Sequence, residues 1–578
     1  MNLTEEQRDA VRCDDDVMLT ACPGSGKTRV IISKLARTID AVRDTPRAVA
    51  CITYTNAAVQ EIEARLRRHI QPGDEIYFDI CTIHSFCLNQ IFRPFCHLIK
   101  GYKTGFKVLT PDTAEFAQHV AAEDFAQLRV SPDGEPVGHG IEHGGLTREI
   151  ATDFWKRIRR AGFIDFANII YYSFVLLRKR PEILRYVSAK FAWILVDEFQ
   201  DTTDLQVEIL SLISGTNRTR LFLVGDPCQS IFGFAGARPD LADEFAARIG
   251  ARTDLMLSGN FRSSPPIIDH ANRLYPRCPP MTAVGDARAF SEVPEWRHGA
   301  APFDVITDNF LPAIEALGIP HGEAAILAPT WFSLFHLGRR LREYGISIVG
   351  PGARPYRRNR HFAPLAEQVC GYMMEPRPEA IAGLERTLFN TVQDISGRSC
   401  FGIFSYSGRL SVFRLIHEAQ ALHAAHPGAI AWLEAAASAF TTILIEEEYL
   451  SRAEQDLFAM SVEEMKGDMH NNRVDLQNLT IGDLGIYASP HAALKLSTLH
   501  NAKGREYQAV AIVDLHEGRL PHYQARAAEE IEEARRLFYV GVTRAKRILL
   551  YVTDGTNQRN GPTRFLRSDG VDVHARSS

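Results

Sequence analysis

The stretch ACPGSGKT at residues 21–28 lies between the apolar runs Val17-Met18-Leu19 and Val30-Ile31-Ile32. Gly24 and Gly26 let backbone N–H groups approach anion oxygens with no Cβ in the way. Lys27 supplies a point charge toward β/γ-phosphates, and the Thr28 hydroxyl suits a Mg²⁺ ion. Helical periodicity from Thr28 to Ile39 turns the positive end of a helix on the same anion. Ala21, Cys22, Pro23, Gly24, Ser25, Gly26, Lys27 and Thr28 therefore read as a cradle for a nucleotide such as ATP. The strict pattern has glycine where Ala21 stands, and a plain turn from strand to helix would use many of the same residues.

A second group completes that chemistry. Asp197 and Glu198 end the apolar run Trp193-Ile194-Leu195-Val196. A carboxylate at the carboxyl end of a buried parallel strand can hold the Mg²⁺ of a bound nucleotide, while its neighbour orients and deprotonates water. Arg262 and Arg544 lie far along the chain from Lys27. Singly each reads as a surface or structural arginine; as two fingers on one γ-phosphate they would complete a phosphoryl-transfer site and tie hydrolysis to closure of one domain on another.

The elements that must position these residues alternate in the α/β manner. Strands are expected at Val17–Thr20 and Ala48–Thr53, and helices at Lys27–Ile39 and over NAAVQEIEARLRR (56–68), the latter capped by Asn56. Residues 86–163 turn mostly helical, with a Gly-rich surface stretch at 133–145. The strand-and-acid scheme of AWILVDEFQD (192–201) is repeated in LFLVGDPCQSIFGFAGAR (221–238). A second α/β region starts near 255, pauses near 350, and resumes with KLSTLH (495–500), AVAIVDL (509–515) and RILLYVT (547–553). Between them, 355–490 is strongly helical, as in the run 429–458.

The 578 residues suit several domains, and 45% hydrophobic with 23% charged residues is ordinary globular composition. No stretch approaches the roughly 20 consecutive apolar residues of a membrane span. Ten cysteines include no CxxC pair, and the N-terminus is acidic, so a reduced, cytoplasmic protein is expected. A net charge of −5 argues against wholesale electrostatic binding of nucleic acid but leaves room for a local basic groove.

The order LTEEQ (3–7), ACPGSGKT, CITYTNAAVQEI (51–62), TIHSF (82–86), ILVDEFQD (194–201), VGDPCQSIFGFAGA (224–237), LSGNFRSS (257–264), LSTLHNAKGREY (496–507) and EEARRLFYVGVTRAK (532–546) resembles the UvrD/Rep/PcrA branch of superfamily-one DNA helicases. The resemblance implies two RecA-like P-loop motor domains, each interrupted by a mostly helical insertion. The first motor domain would be 1–85 with 164–254, its insertion 86–163. The second would be 255–354 with 491–578, its reduced insertion 355–490. The activity implied is ATP-dependent, 3′→5′ translocation along single-stranded DNA with unwinding.

Residue by residue, the resemblance puts Gln7 on the adenine with Phe261 stacked against it, Glu506 on the ribose, and Gln229 on the γ-phosphate. Lys27, Thr28, Asp197, Glu198, Arg262 and Arg544 keep the roles above. Tyr54, His84, Phe232, Phe234 and His500 fall at single-strand contacts, and aromatic faces grip any base regardless of sequence. Read without the motifs, Phe232 and Phe234 are core residues at a strand–loop junction. Ala235 stands where the branch has a basic residue, Arg505 where it has leucine, and Phe261 where it has tyrosine. NQIFRPF (89–95) and the compact insertions are similar to the helicase subunit of Gabija-type anti-phage systems, which implies a nuclease partner of the overcoming-lysogenization-defect type. A nucleotide-sensing regulatory ATPase and a stand-alone repair helicase are the rival readings. The entry to 355–490 carries the cluster Arg354, Arg357, Arg358 and Arg360 and its interior Glu446, Glu447 and Glu448, which suggests either opposite charge at two ends, steering DNA at one and a protein at the other, or a solvated helical cap with ordinary surface charge.

Overall fold

The computed structural model describes residues 3–99, 101–102, 105–109, 128–142, 145–299, 301–354, 356–357, 360–396, 401–472, 474–488, 492–554, 561–566 and 571–575. Its packing gathers into two compact units, Met1–Ser291 with Ala525–Thr543, and Glu292–Gln524 with Arg544–Ser578.

The first unit is built on strands β1 (Val17–Ala21), β2 (Ala48–Thr53), β3 (Phe78–Thr82), β4 (Phe191–Val196), β5 (Arg220–Gly225) and β6 (Met256–Leu257). They form one sheet in the order β6-β1-β5-β4-β2-β3, parallel throughout. Every residue of β2 is buried, as a parallel strand covered on both faces requires. Three helices bear on the site: α1 (Glu5–Arg12), α2 (Lys27–Val42) and α3 (Ala528–Val542). Helix α1 opens on a capping box between Thr4 and Gln7. Helix α2 starts at Gly26 with no side-chain cap, leaving its first N–H groups uncapped by side chains. The helix after β2 runs Asn56–Leu66, and Thr55 rather than Asn56 is its cap, accepting from the Ala58 N–H.

Residues 86–163 hold more than helices. A π-helical turn at Cys87–Phe92 and the helix Arg148–Arg160 share the region with two short strand pairs. Lys107–Val108 pairs in parallel with Phe163–Ile164, and Arg129–Val130 pairs antiparallel with Pro136–Val137. Period-2 alternation over two residues is too short to read from sequence.

The second unit carries β7 (Glu295–His298), β8 (Ala324–Ala328), β9 (Ile348–Val349), β10 (Leu494–Thr498), β11 (Tyr507–Ile512), β12 (Ala545–Thr553) and β13 (Asp572–Ala575). Their order is β9-β10-β8-β11-β12-β7-β13, again parallel throughout. Two parallel sheets in two units are the RecA-like motor fold.

The helical region after β9 has its own core, with Phe362, Leu388, Trp432, Phe440 and Met465 all fully buried. Its most apolar helix, Ala429–Glu446, is long and apolar enough to cross a membrane by length and composition. Trp432, Leu433, Ala436, Phe440 and Leu444 on it are buried inside the unit, which accounts for that apolarity. The helix ends at Glu446 instead of continuing to 458, because the chain turns through Glu448 at φ +60° before restarting at Leu457. The expected charge separation is neutralised from within. Arg354 pairs with Glu367 at 2.6 Å, and Arg360 with Asp468 at 2.9 Å. Arg414 pairs with both Glu446 and Glu447. Arg358 lies outside the described residues.

Candidate nucleotide site and nucleic-acid interface

The phosphate loop leaves β1 at its carboxyl end and enters α2. Gly24 and Gly26 have φ of +69° and +79°, the left-handed region that costs a side-chain-bearing residue about 1–2 kcal/mol. Space closes the loop to side chains as well. A Cβ on Gly24 would meet Arg262 Cβ and Asn260 Oδ1 at 2.7 Å, and one on Gly26 would meet Gln7 Nε2 at 2.9 Å. Among the described residues the buried Ser25 hydroxyl has no hydrogen-bond partner. A tight left-handed loop with an orphaned hydroxyl and uncapped helix N–H groups fits an anionic ligand.

Two segments, tied to each other, hold the loop. Gln7 on α1 accepts from the Thr4 N–H at 3.1 Å and donates Nε2 to the Ser25 carbonyl at 2.8 Å. Glu6 accepts from the Ser258 hydroxyl at 2.6 Å. The Phe261 N–H donates to the Gly24 carbonyl at 2.8 Å. Gln7, Gly24–Thr28, Phe261 and Arg262 therefore come together in the first unit, and Arg262, expected beyond a boundary at 255, packs with that unit. Arg29 lies over the Phe261 ring at 5.6 Å, and the ring is 36% exposed.

The acids stand at the end of β4. Lys27 Nζ is 3.7 Å from Glu198 Oε2. Glu198 adopts φ +53°, ψ +43°, a left-handed conformation for a residue with a side chain. Burial, then the neighbouring Glu198 charge, raises the Asp197 carboxyl well above the ordinary range, and Lys27 works against both. A divalent cation would reverse that shift. Among the described residues no cluster of three or more His, Cys, Asp or Glu side chains could hold a metal ion alone. Mg²⁺ needs no such cluster, since it is commonly bound through one or two protein ligands together with the phosphates of a nucleotide. Burial pushes the Cys22 thiol up to about 12 and that of Cys228 up to about 11, which keeps both protonated at neutral pH.

Behind the acids runs a polar chain that the sequence reading missed. Gln200 Nε2 donates to Glu198 Oε2 at 2.5 Å, and Gln200 Oε1 accepts from the Asp226 N–H at 2.9 Å. Gln229 Nε2 donates to Asp226 Oδ2 at 2.6 Å. Arg277 Nη2 reaches both Asp226 Oδ1 at 2.6 Å and the Tyr539 hydroxyl at 3.0 Å. Gln200 is visible inside VDEFQD, whereas Arg277 in YPRCPP carries no local signal at all. Asn260, within LSGNFRSS, shapes the next turn by accepting from the Arg262 and Ser263 N–H groups.

Of the aromatic residues, Tyr54 and Phe232 stack with ring centroids 5.1 Å apart and planes at 16°. Tyr54 remains 42% exposed, so Phe232 backs an open platform rather than a closed core. His84 lies 4.9 Å from Phe166, an exposed ring that the sequence reading did not single out. Burial pushes His84 down to about 4, which keeps the imidazole neutral at physiological pH. Phe234 sits in the short 3₁₀ turn Gly233–Ala235 that follows Phe232, and its side chain is outside the described set.

Arg544, Glu506 and His500 belong to the second unit. Arg544 is 2% exposed and donates to the Arg505 carbonyl at 3.1 Å. Glu506 pairs with Lys546 at 2.7 Å. His500 lies just beyond the carboxyl end of β10, and burial, then the charge of Lys503, lowers its pKa.

A parallel α/β unit with a phosphate loop after its first strand and paired acids after a later one defines a P-loop nucleotide-binding protein. The family model for the UvrD/REP helicase N-terminal domain matches residues 3–131 and 140–249, and the UvrD-like helicase C-terminal domain matches 457–554. Those matches span more than half of the chain, which belongs to the UvrD-like superfamily-one helicases. Its similar relatives include the ATP-dependent DNA helicase PcrA of Staphylococcus epidermidis and that of Staphylococcus aureus, each 26% identical over 294 residues. The alignment takes in 47% of this chain and 40% of either relative, so well under two thirds of their length is spanned.

Proposed function

We propose that the protein is a DNA-dependent ATPase that translocates on single-stranded DNA and unwinds duplexes. The observation that carries this reading is the meeting of Lys27, Asp197 and Glu198 beside a left-handed phosphate loop, in the unit whose exposed Tyr54–Phe232 stack offers a platform for bases. Ser25, Gly26 and Lys27 would hold the phosphates. Thr28 and Asp197 would hold Mg²⁺, which when bound neutralises phosphate charge. Glu198 would accept the proton of the attacking water, held toward it by Gln200. Lys27, Gln229, Arg262 and Arg544 would stabilise the charge that develops on the γ-phosphoryl oxygens. Gln7 would meet the adenine by exchanging its bond to Ser25, Phe261 would stack on the base, and Glu506 would take the ribose.

Tyr54, His84, Phe232, Phe234 and His500 would line the single strand. His84, neutral at working pH, would contribute a ring face or a hydrogen bond but no charge. The division into two motor domains with insertions at 86–163 and 355–490, and 3′→5′ travel, rest on the motif order. A nuclease partner in anti-phage defence rests on the narrower likeness of NQIFRPF. The test is ATP turnover by the purified chain with and without single-stranded DNA, together with unwinding of duplexes carrying a 3′ or a 5′ tail. Turnover that DNA stimulates, with unwinding of the 3′-tailed duplex, is expected. DNA-stimulated turnover with no unwinding would mark a regulatory ATPase instead.

A further inference from the structure

Arg277 stands outside every motif, yet its guanidinium meets both Asp226 and Tyr539. Its side chain is 11% exposed and Asp226 is fully buried, so their 2.6 Å ion pair sits away from water. Asp226 is the fixed point of the loop that carries Gln229: one carboxylate oxygen takes the Gln229 amide and the other takes Arg277. The Asp226 N–H donates to Gln200, whose amide in turn donates to Glu198. On the opposite side, the same guanidinium nitrogen reaches the Tyr539 hydroxyl on α3, and Tyr539 itself is fully buried.

Helix α3 grips the rest of that loop as well. Arg536 Nε donates to the Ser230 carbonyl at 2.6 Å, and Glu533 accepts from the Gly233 N–H at 2.9 Å, one residue from the Phe232 platform. Arg262 Nη1 donates to the Thr543 carbonyl just past the helix end at 3.1 Å. A single helix therefore meets the Gln229 end of the loop, its Phe232 end, and an arginine beside the phosphate loop. Arg277 is the joint between the acids and that helix.

We propose that Arg277 is a positioning residue for ATP hydrolysis, holding Asp226 so that Gln229 and the Gln200–Glu198 pair stay in register with helix α3 through Tyr539. The proposal rests on the nucleotide-site reading above. A residue that only positions the base and the γ-phosphate contact lowers kcat and leaves nucleotide binding nearly alone. Buried networks of this kind act as units, so a change at either end is felt at the other.

The experiment compares wild type, Lys27→Ala, Arg277→Met, Arg277→Lys and Tyr539→Phe in full chains, with kcat and KM for ATP measured on saturating oligo-dT. Active fraction is set by titration with a non-hydrolysable ATP analogue. Arg277→Met is expected to lower kcat by roughly thirtyfold or more with KM within about threefold. Arg277→Lys is expected to restore part of kcat, since an ammonium can pair Asp226 as a point charge but sits on a shorter stem, without the planar guanidinium whose Nη2 meets Asp226 and Tyr539 together. Tyr539→Phe, which removes one hydroxyl, is expected to lower kcat several-fold with the melting temperature lowered by no more than a few degrees. If kcat per active molecule stays within twofold of wild type in Arg277→Met and in Tyr539→Phe, Arg277 is a fold element only and the proposal is overturned. Should Arg277→Met not fold, Tyr539→Phe and Arg277→Lys decide by the same criterion. Wild type without ATP turnover, or Lys27→Ala as active as wild type, would overturn the nucleotide-site reading itself, a different pattern from failure at Arg277 alone.

Discussion

Replacing Tyr54 and Phe232, singly and together, tests whether the exposed ring pair is a base platform. Their centroids are 5.1 Å apart, less than the roughly 7 Å that two carbon–carbon contact distances would need, so no base fits between the rings while they stack. A base therefore stacks on the open face of Tyr54, with Phe232 behind it. Tyr54→Ala should lose the direct stack, about 1–3 kcal/mol, which is roughly 5- to 150-fold in Kd. Phe232→Ala removes only the backing ring, about 0.5–1.5 kcal/mol. The double variant should bind about as weakly as Tyr54→Ala alone, because the backing ring has nothing left to support, giving a coupling of about 0.5–1.5 kcal/mol. Fluorescence anisotropy with labelled oligo-dT and a mixed-sequence strand, at several salt concentrations, measures all four proteins. Additive losses would refute the single-platform geometry. Unchanged affinity with a lowered melting temperature would make both rings core residues.

Lys27→Ala should abolish nearly all ATP turnover with single-strand affinity retained, while Glu198→Gln should bind nucleotide and hydrolyse it at least about a hundredfold more slowly. Steady-state ATPase alongside analogue binding separates these two effects. Arg262→Ala and Arg544→Ala should each lower kcat by roughly a hundredfold with smaller changes in nucleotide affinity; normal DNA-stimulated turnover in Arg544→Ala would remove that residue from the site. Fully buried Lys34, 4.0 Å from the Trp193 ring, is pushed down to about 8 by burial. A lysine whose pKa is lowered on folding adds stability as pH rises from about 8 toward its unfolded value near 10.4. The melting temperature of wild type should therefore gain on that of Lys34→Met between those limits, and parallel curves would contradict the burial.

The strands and the phosphate loop are legible because each is a contiguous run whose residue types answer to one physical demand. Val17–Ala21 and Phe191–Val196 are apolar since both faces of a parallel strand are covered. Gly24 and Gly26 are glycine since the chain there turns through positive φ. The acids follow a strand because its carboxyl end is where a ligand can reach. The short strand pairs at 107–108 with 163–164 and at 129–130 with 136–137 lack that length, so no period could announce them. Phe166 opens a helix as many apolar residues do, and only the fold sets its ring beside His84.

Arg277 was illegible for a different reason. Its partners lie 51 residues before it, at Asp226, and 262 after it, at Tyr539, and only the fold sets those separations. The phosphate loop and the acids share that dependence, but each is announced by a local pattern, whereas one arginine between two prolines announces nothing. Its necessity appears only once the Asp226 carboxylate is seen to be fully buried. A buried carboxylate must be neutralised or paired, and removing its partner from an established pair commonly costs about 3–5 kcal/mol. That requirement turns an unremarked cation into a fixed point of the site: the chain must bring a positive charge to Asp226, and the charge it brings is anchored on the helix that also holds the Phe232 loop through Glu533. The catalytic types can be read from short stretches of sequence, but the residues that keep those types in register are found only by asking what each buried charge leans on.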